Sequence, residues 1–145
     1  MKYFLCVLMA LSMSLLSAKE VQVEVSIPPL KGLVKSIGGK WVNVNSVMGE
    51  LVDPHVFSVS PGQMSKVKKA DLLMVVGTME FEKKLLKFRT DTVNLGAGFV
   101  EENEHLWLHT KFLKVAAKAV AENIIKKNNK QRGGRGERNN SFALF

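Results

Sequence analysis

At 145 residues, with 46% apolar content and a formal charge of +8, the chain is long enough for one globular domain around a single core. Its one cysteine, Cys6, falls in the N-terminal apolar run, so the rest of the chain has no disulfide. The charge is local: Lys126, Lys127, Lys130, Arg132, Arg135 and Arg138 stand against Glu137 alone, so the basic excess describes a tail and is poor evidence for a nucleic-acid surface on the folded part.

Residues 1–18 read as a cleaved secretory signal. Lys2 supplies the positive end, Tyr3 to Leu16 the apolar stretch and Ser17-Ala18 a small-residue cleavage site, with the mature chain starting near Lys19. The apolar run is shorter than the roughly 20 residues of a spanning helix, which argues against an uncleaved anchor. Cys6 has no small residues before it and belongs to the signal core rather than to a lipid-attachment site.

From Val21 to Ser26 apolar and polar residues alternate among β-branched types, which predicts a strand ended by Pro28-Pro29. Leu30, Leu33, Val34 and Ile37 follow at helical spacing and stop at Gly38-Gly39. Trp41 to Val47 alternates again as a second strand. Ser60 and Pro61 are the N-cap and first position of a second helix, with Met64, Val67 and Ala70 on one side and Lys66, Lys68 and Lys69 on a solvated face. The continuous apolar run from Asp71 to Gly77 predicts a strand buried on both faces. A short helix over 81–88 and a short strand over 92–95 come next. A long amphipathic helix from Thr110 to about Lys127 presents Phe112, Leu113, Ala116, Ala117, Val120, Ile124 and Ile125. Beyond it, residues 128–145 are polar and glycine-rich and predict a disordered basic tail. Strands alternating with helices define an α/β layer with a mostly parallel four-stranded sheet flanked by helices, spanning 19–127.

The candidate chemistry is metal binding. His55 follows Asp53-Pro54, whose proline stiffens the backbone, and the other two histidines, His105 and His109, lie together in Glu104-His-Leu-Trp-Leu-His109. In such sheets ligands bind beyond the carboxyl ends of the strands, and His55 and His105 follow the second and fourth strands, so both can reach one edge. Neutral imidazole suits zinc and related divalent ions. His105 and His109, four apart, form an alternative pair if a helix begins before His105, and Glu104 is a further candidate donor. Trp107 and Leu108 are expected in the core behind the site. No enzyme is expected: Gly96-Ala-Gly98 lacks the spacing of a phosphate loop, no serine sits in a nucleophile motif, and Glu101, Glu102 and Glu104 read as a solvated acidic loop.

Taken in order, Val25-Ser-Ile-Pro-Pro-Leu30, Ile37-Gly-Gly39, Asp53-Pro-His55 with Phe57 and Pro61, Ala70-Asp-Leu72 with Val75-Val-Gly77, and His105-Leu-Trp-Leu108 resemble the N-terminal half of the solute-binding proteins of zinc and manganese ABC transporters. That cluster includes metal-binding adhesins. The resemblance implies one lobe of a two-lobed periplasmic receptor, with His55 and His105 as this lobe's ligands for Zn2+, alternatively Mn2+. It also implies a monomer that delivers the ion to a membrane permease, with no nucleic-acid partner. The chain departs from the family in reading Asn103-Glu104-His105 where Asp-Pro-His is usual, and in lacking a histidine-rich acidic loop. The linking helix and second lobe do not follow Lys127, from which a frameshift or early stop, and weak binding, are expected. Two other readings compete: an interaction protein whose basic tail binds nucleic acid or an anionic surface, and a non-functional fragment.

Overall fold

Val21, Val23 and Val25 point to one face of β1 (Val21–Val25), and the alternation continues in β2 (Val42–Ser46), where Val42 and Val44 pair in register with Val21 and Val23. In this computed structural model, which describes residues 19–99 and 105–140, these valines are buried. The expected signal at 1–18 and the acidic residues Glu101, Glu102 and Glu104 lie outside the described residues.

The third strand, β3 (Leu72–Val75), is buried at every position, as a strand covered on both faces must be. With the two-residue β4 (Val93–Asn94) it completes a parallel sheet in the order β2-β1-β3-β4. Parallel neighbours cannot be joined by tight hairpins, so helices make the crossovers: α1 (Pro28–Gly38), α2 (Pro61–Lys69) and α3 (Glu80–Phe88). This is the α/β fold that the sequence predicts, one four-stranded parallel lobe.

Local chemistry sets the element ends. Two prolines occupy the first turn of α1, where their missing N–H groups cost nothing. The same helix stops because Gly39 takes φ 51°, and because a side chain at Gly38 would collide with that of Val42. Ser60 caps α2 as predicted: its Oγ accepts the Gln63 backbone N–H at 3.3 Å while Gln63 Oε1 accepts that of Ser60 at 2.7 Å.

The last helix, α4 (Thr110–Asn140), buries Phe112, Ala116, Val120 and Ile124 at four-residue spacing and packs on α1 and β1. Its length corrects the sequence reading, in which the helix ends near Lys127 and an irregular tail begins at 128. Apolar periodicity reports where a helix packs, whereas propagation needs only backbone hydrogen bonds and moderate propensity, so a helix can outrun its packed face. Lys127 Nζ lies 3.9 Å from Asp71 and ties the helix to the start of β3 near where its apolar stripe ends. Among the described residues no helix is long and apolar enough to cross a membrane.

Candidate metal centre

The loop after β2 carries His55 and is held at its ends rather than by its own burial. Asp53 Oδ1 accepts the His55 backbone N–H at 2.9 Å, and Pro54 between them restricts φ, so the turn that presents the imidazole is closed locally. Further on, Phe57 meets Phe81 of α3 edge-on, with ring centroids 5.0 Å apart. Gln63 Nε2 donates to the Val47 carbonyl at 2.7 Å and joins the start of α2 to the end of β2. The histidine itself is exposed.

His105 is placed differently, at the entry of a 3-10 turn over Leu106–Leu108. Its carbonyl accepts the Leu108 N–H at 3.0 Å, and Leu106 is buried to 1% exposure beside it. Leu106 fills the core here and Trp107 packs against it, whereas Leu108 faces outward, which corrects the sequence reading for Leu108. A turn of three residues per revolution sends only one of the three inward. Leu108 is exposed, and Trp107 is half-buried with its ring 5.0 Å from that of His105.

The third wall comes from the turn after β3. Glu82 is fully buried, and its carboxylate accepts the backbone N–H groups of Val76 (2.9 Å), Gly77 (2.8 Å) and Met79 (3.1 Å). Three charge-assisted bonds satisfy a buried anion that would otherwise be costly, and they fix the turn in which Gly77 adopts φ 93°. Met79 and Glu80 are thereby brought to the same side as the histidines. Sequence reading missed both Glu80 and Glu82. The available signal was their position just beyond the apolar run ending at Gly77, at the carboxyl end of an inner strand.

Pro54, His55, Met79, Glu80, His105 and Trp107 together line a cleft of about 60 Å3. That volume suits an ion with a few waters rather than an organic ligand. The structure thus brings together two histidines fifty residues apart in sequence. His109 does not line the cleft: α4 begins only at Thr110, so the helix that would stack it on His105 is not formed there. Glu104 lies outside the described residues.

Glu80 sits at the rim, where Lys83 Nζ, 2.6 Å from its Oε2, hydrogen-bonds it and holds its carboxyl below the usual carboxylate range. Among the described residues no group of three or more His, Cys, Asp or Glu is placed to hold a metal ion. Among the described residues the cleft thus presents two imidazoles and the Glu80 carboxylate. A larger cavity of about 660 Å3 lies elsewhere, against the polar face of β1 and β2, and contains no histidine.

Comparison with known proteins follows the same outline. The family described as zinc-uptake complex component A, periplasmic, matches residues 23–138. A Chlamydia trachomatis protein described as a candidate metal-binding protein is 31% identical, the match covering 72% of this chain and 42% of that protein. The manganese-binding lipoprotein MntA of Bacillus subtilis is 36% identical over 41% of this chain and 19% of its own length. In three dimensions the crystal structure of ZnuA superposes with a TM-score of 0.59 at 20% identity, over 78% of this chain and 53% of that one. Zn(II)-bound AdcA from Streptococcus pneumoniae gives 0.61 at 18% identity, over 79% and 31%. The chain thus spans less than half the length of the curated relatives described above.

Proposed function

Because the chain belongs to the family of periplasmic zinc-uptake component A, we propose that it captures a divalent transition-metal ion as cargo, zinc before manganese, with His55 and His105 as the donors from this lobe. The observation that supports this reading is the meeting of the two imidazoles at one small cleft beyond the carboxyl edge of a parallel sheet. The family is one of transport components, and catalysis forms no part of the proposal.

The chemistry of the donors favours zinc. Imidazole nitrogen suits Zn2+ well, whereas Mn2+ prefers carboxylate and water oxygen, which the described cleft offers only through Glu80. Two imidazoles leave two positions of a tetrahedral ion to water or to further donors, so a single metal-loaded chain binds weakly. The Asp53 turn and the Leu106 anchor orient the rings, the service that supporting groups perform around metal ligands. In the cell the proposed location is the periplasm, reached through the 1–18 signal, and the proposed partner is the membrane permease of an ABC transporter. The chain is proposed to be a monomer.

Calorimetric titration of zinc and of manganese into the protein tests the assignment. The expected outcome is zinc binding that weakens at least about tenfold in His55→Ala and in His105→Ala, with manganese weaker than zinc throughout. Equal zinc affinity in the parent and in His55→Ala removes His55 from the site.

A further inference from the structure

β1 is an interior strand, with β2 on one side and β3 on the other, yet only one of its faces is apolar. Its other face carries Gln22 and Glu24, and in register beside them β2 carries Asn43 and Asn45. An interior parallel strand covered on both sides is apolar throughout, as β3 is. β1 departs from that rule because α2, which walls its polar face, buries only Val67 and leaves the cavity of about 660 Å3 against the sheet. The cavity contains no histidine and is separate from the metal cleft.

The lining keeps opposite charges apart. At the floor Glu24 is only 6% exposed, and the Asn45 side chain hydrogen-bonds its carboxylate. Gln22 and Asn43 satisfy each other across the strands, Asn43 Nδ2 donating to Gln22 Oε1 at 2.8 Å. Ser46 Oγ, in the same lining, is buried and has no hydrogen-bond partner among the described residues. At the mouth stand the exposed side chains of Lys31, in the first turn of α1, and of Lys66 and Lys69, one turn apart on α2. Glu50 offsets one of these three charges, so the rim stays positive above a buried negative floor.

That arrangement selects among ligands. A simple anion at the lysines would face Glu24, and a simple cation at Glu24 would face the lysines. An uncharged molecule would displace water from a buried carboxylate and bring it no counter-charge, which is costly. A molecule with both signs at its two ends meets both requirements. We propose that this cavity binds a small zwitterion of the amino-acid or short-peptide class, its ammonium on Glu24 and Ser46 Oγ and its carboxylate on Lys66 and Lys69. Both ends then make charge-assisted hydrogen bonds, and the volume, within the roughly 300–1,000 Å3 of small-molecule sites, leaves room for a dipeptide.

The test is calorimetric titration of alanyl-alanine into the full chain, with and without a chelator, beside the N-acetylated and the C-terminally amidated forms of the same dipeptide. The expected result is one alanyl-alanine per chain, unaffected by the chelator. Each blocked form should bind at least about tenfold more weakly, because each lacks one charged end. Glu24→Gln and Lys66→Gln should weaken alanyl-alanine by a similar factor. An N-acetylated dipeptide that binds like the parent dipeptide, or a Glu24→Gln chain that binds alanyl-alanine like the parent chain, overturns the ammonium contact and with it the proposal. Equal binding of the amidated form, or by Lys66→Gln, overturns the carboxylate contact in the same way. Binding lost when the chelator is added places the dipeptide on a metal ion at the histidine cleft and overturns the cavity assignment. No binding of any of the three dipeptides overturns it as well and leaves the metal reading standing.

Discussion

The two histidines of the cleft are supported in opposite ways. His105 is built onto the core through Leu106, one residue away and buried, and through the turn leading into α4, where Phe112 is fully buried and meets Phe99 edge-on. His55 sits on an exposed loop, where an Asp53 hydrogen bond, Pro54 and the Phe57–Phe81 contact help to hold it. A donor carried by packed side chains is pre-organised and loses little freedom on binding, while one carried by a polar turn can adjust at some entropic cost. Under the proposed metal reading, the packed imidazole of His105 would define where an ion sits and the loop-borne one of His55 would adjust to it.

That contrast can be broken from the core side first. Glu82→Ala strips a buried carboxylate from three backbone N–H groups and should cost about 3 kcal/mol or more in urea unfolding, with zinc binding impaired because the turn bearing Met79 and Glu80 loosens. Leu106→Ala should cost about 3 kcal/mol and weaken zinc binding as well, since the anchor of His105 is the core itself. Asp53→Ala should separate the two effects. Stability should change by no more than about 0.5 kcal/mol at so exposed a site, while zinc affinity drops roughly tenfold through loss of the His55 turn. Should Asp53→Ala bind zinc like the parent, the tether has no part in the site.

The smallest effect is a control far from both histidines. Glu24 lies buried on the polar face of β1, and burial raises its pKa above the usual 4.5, with an Asn45 hydrogen bond and the charge of Lys66 acting in the opposite direction. A raised carboxyl pKa means that the folded state holds its proton more tightly than the unfolded state. Its favourable contribution is therefore present below pH 4.5 and is lost as pH rises through the folded value. Glu24→Gln should thus stabilise the protein at neutral pH, by less than about 1 kcal/mol, and the advantage should vanish in unfolding measured at acid pH, with zinc affinity unchanged. A stabilisation that persists at acid pH would contradict the assignment to buried charge.

Much of the architecture is legible in particular residues. Valines two apart in β1 and β2 specify which face is buried, since a strand repeats every second residue, and the uninterrupted run from Leu72 to Val76 marks the strand covered on both sides. Ser60 and Pro61 announce the start of α2 because their chemistry is local to the first turn. The candidate site was legible only as two histidines assigned to one edge of the sheet. Which of Leu106, Trp107 and Leu108 turns inward depends on the phase of a single 3-10 turn, and three neighbouring apolar residues do not encode that phase. The reach of α4 beyond its apolar stripe was likewise hidden, because backbone hydrogen bonding leaves no hydrophobic period to read.

By itself the sequence determined the strand–helix alternation and the parallel sheet, for these follow from local periodicity and capping chemistry, while His55 and His105 stand out only through the resemblance of the segments around them to a known family. Tertiary structure alone decided that Met79 and Glu80 join His55 and His105 around one cleft, that Glu82 is spent on backbone N–H groups, and that Leu51, Val56 and Leu108 face outward. Those outcomes depend on how segments distant in the chain are brought side by side by the packing of β1, β3 and α3, and no local pattern carries that information.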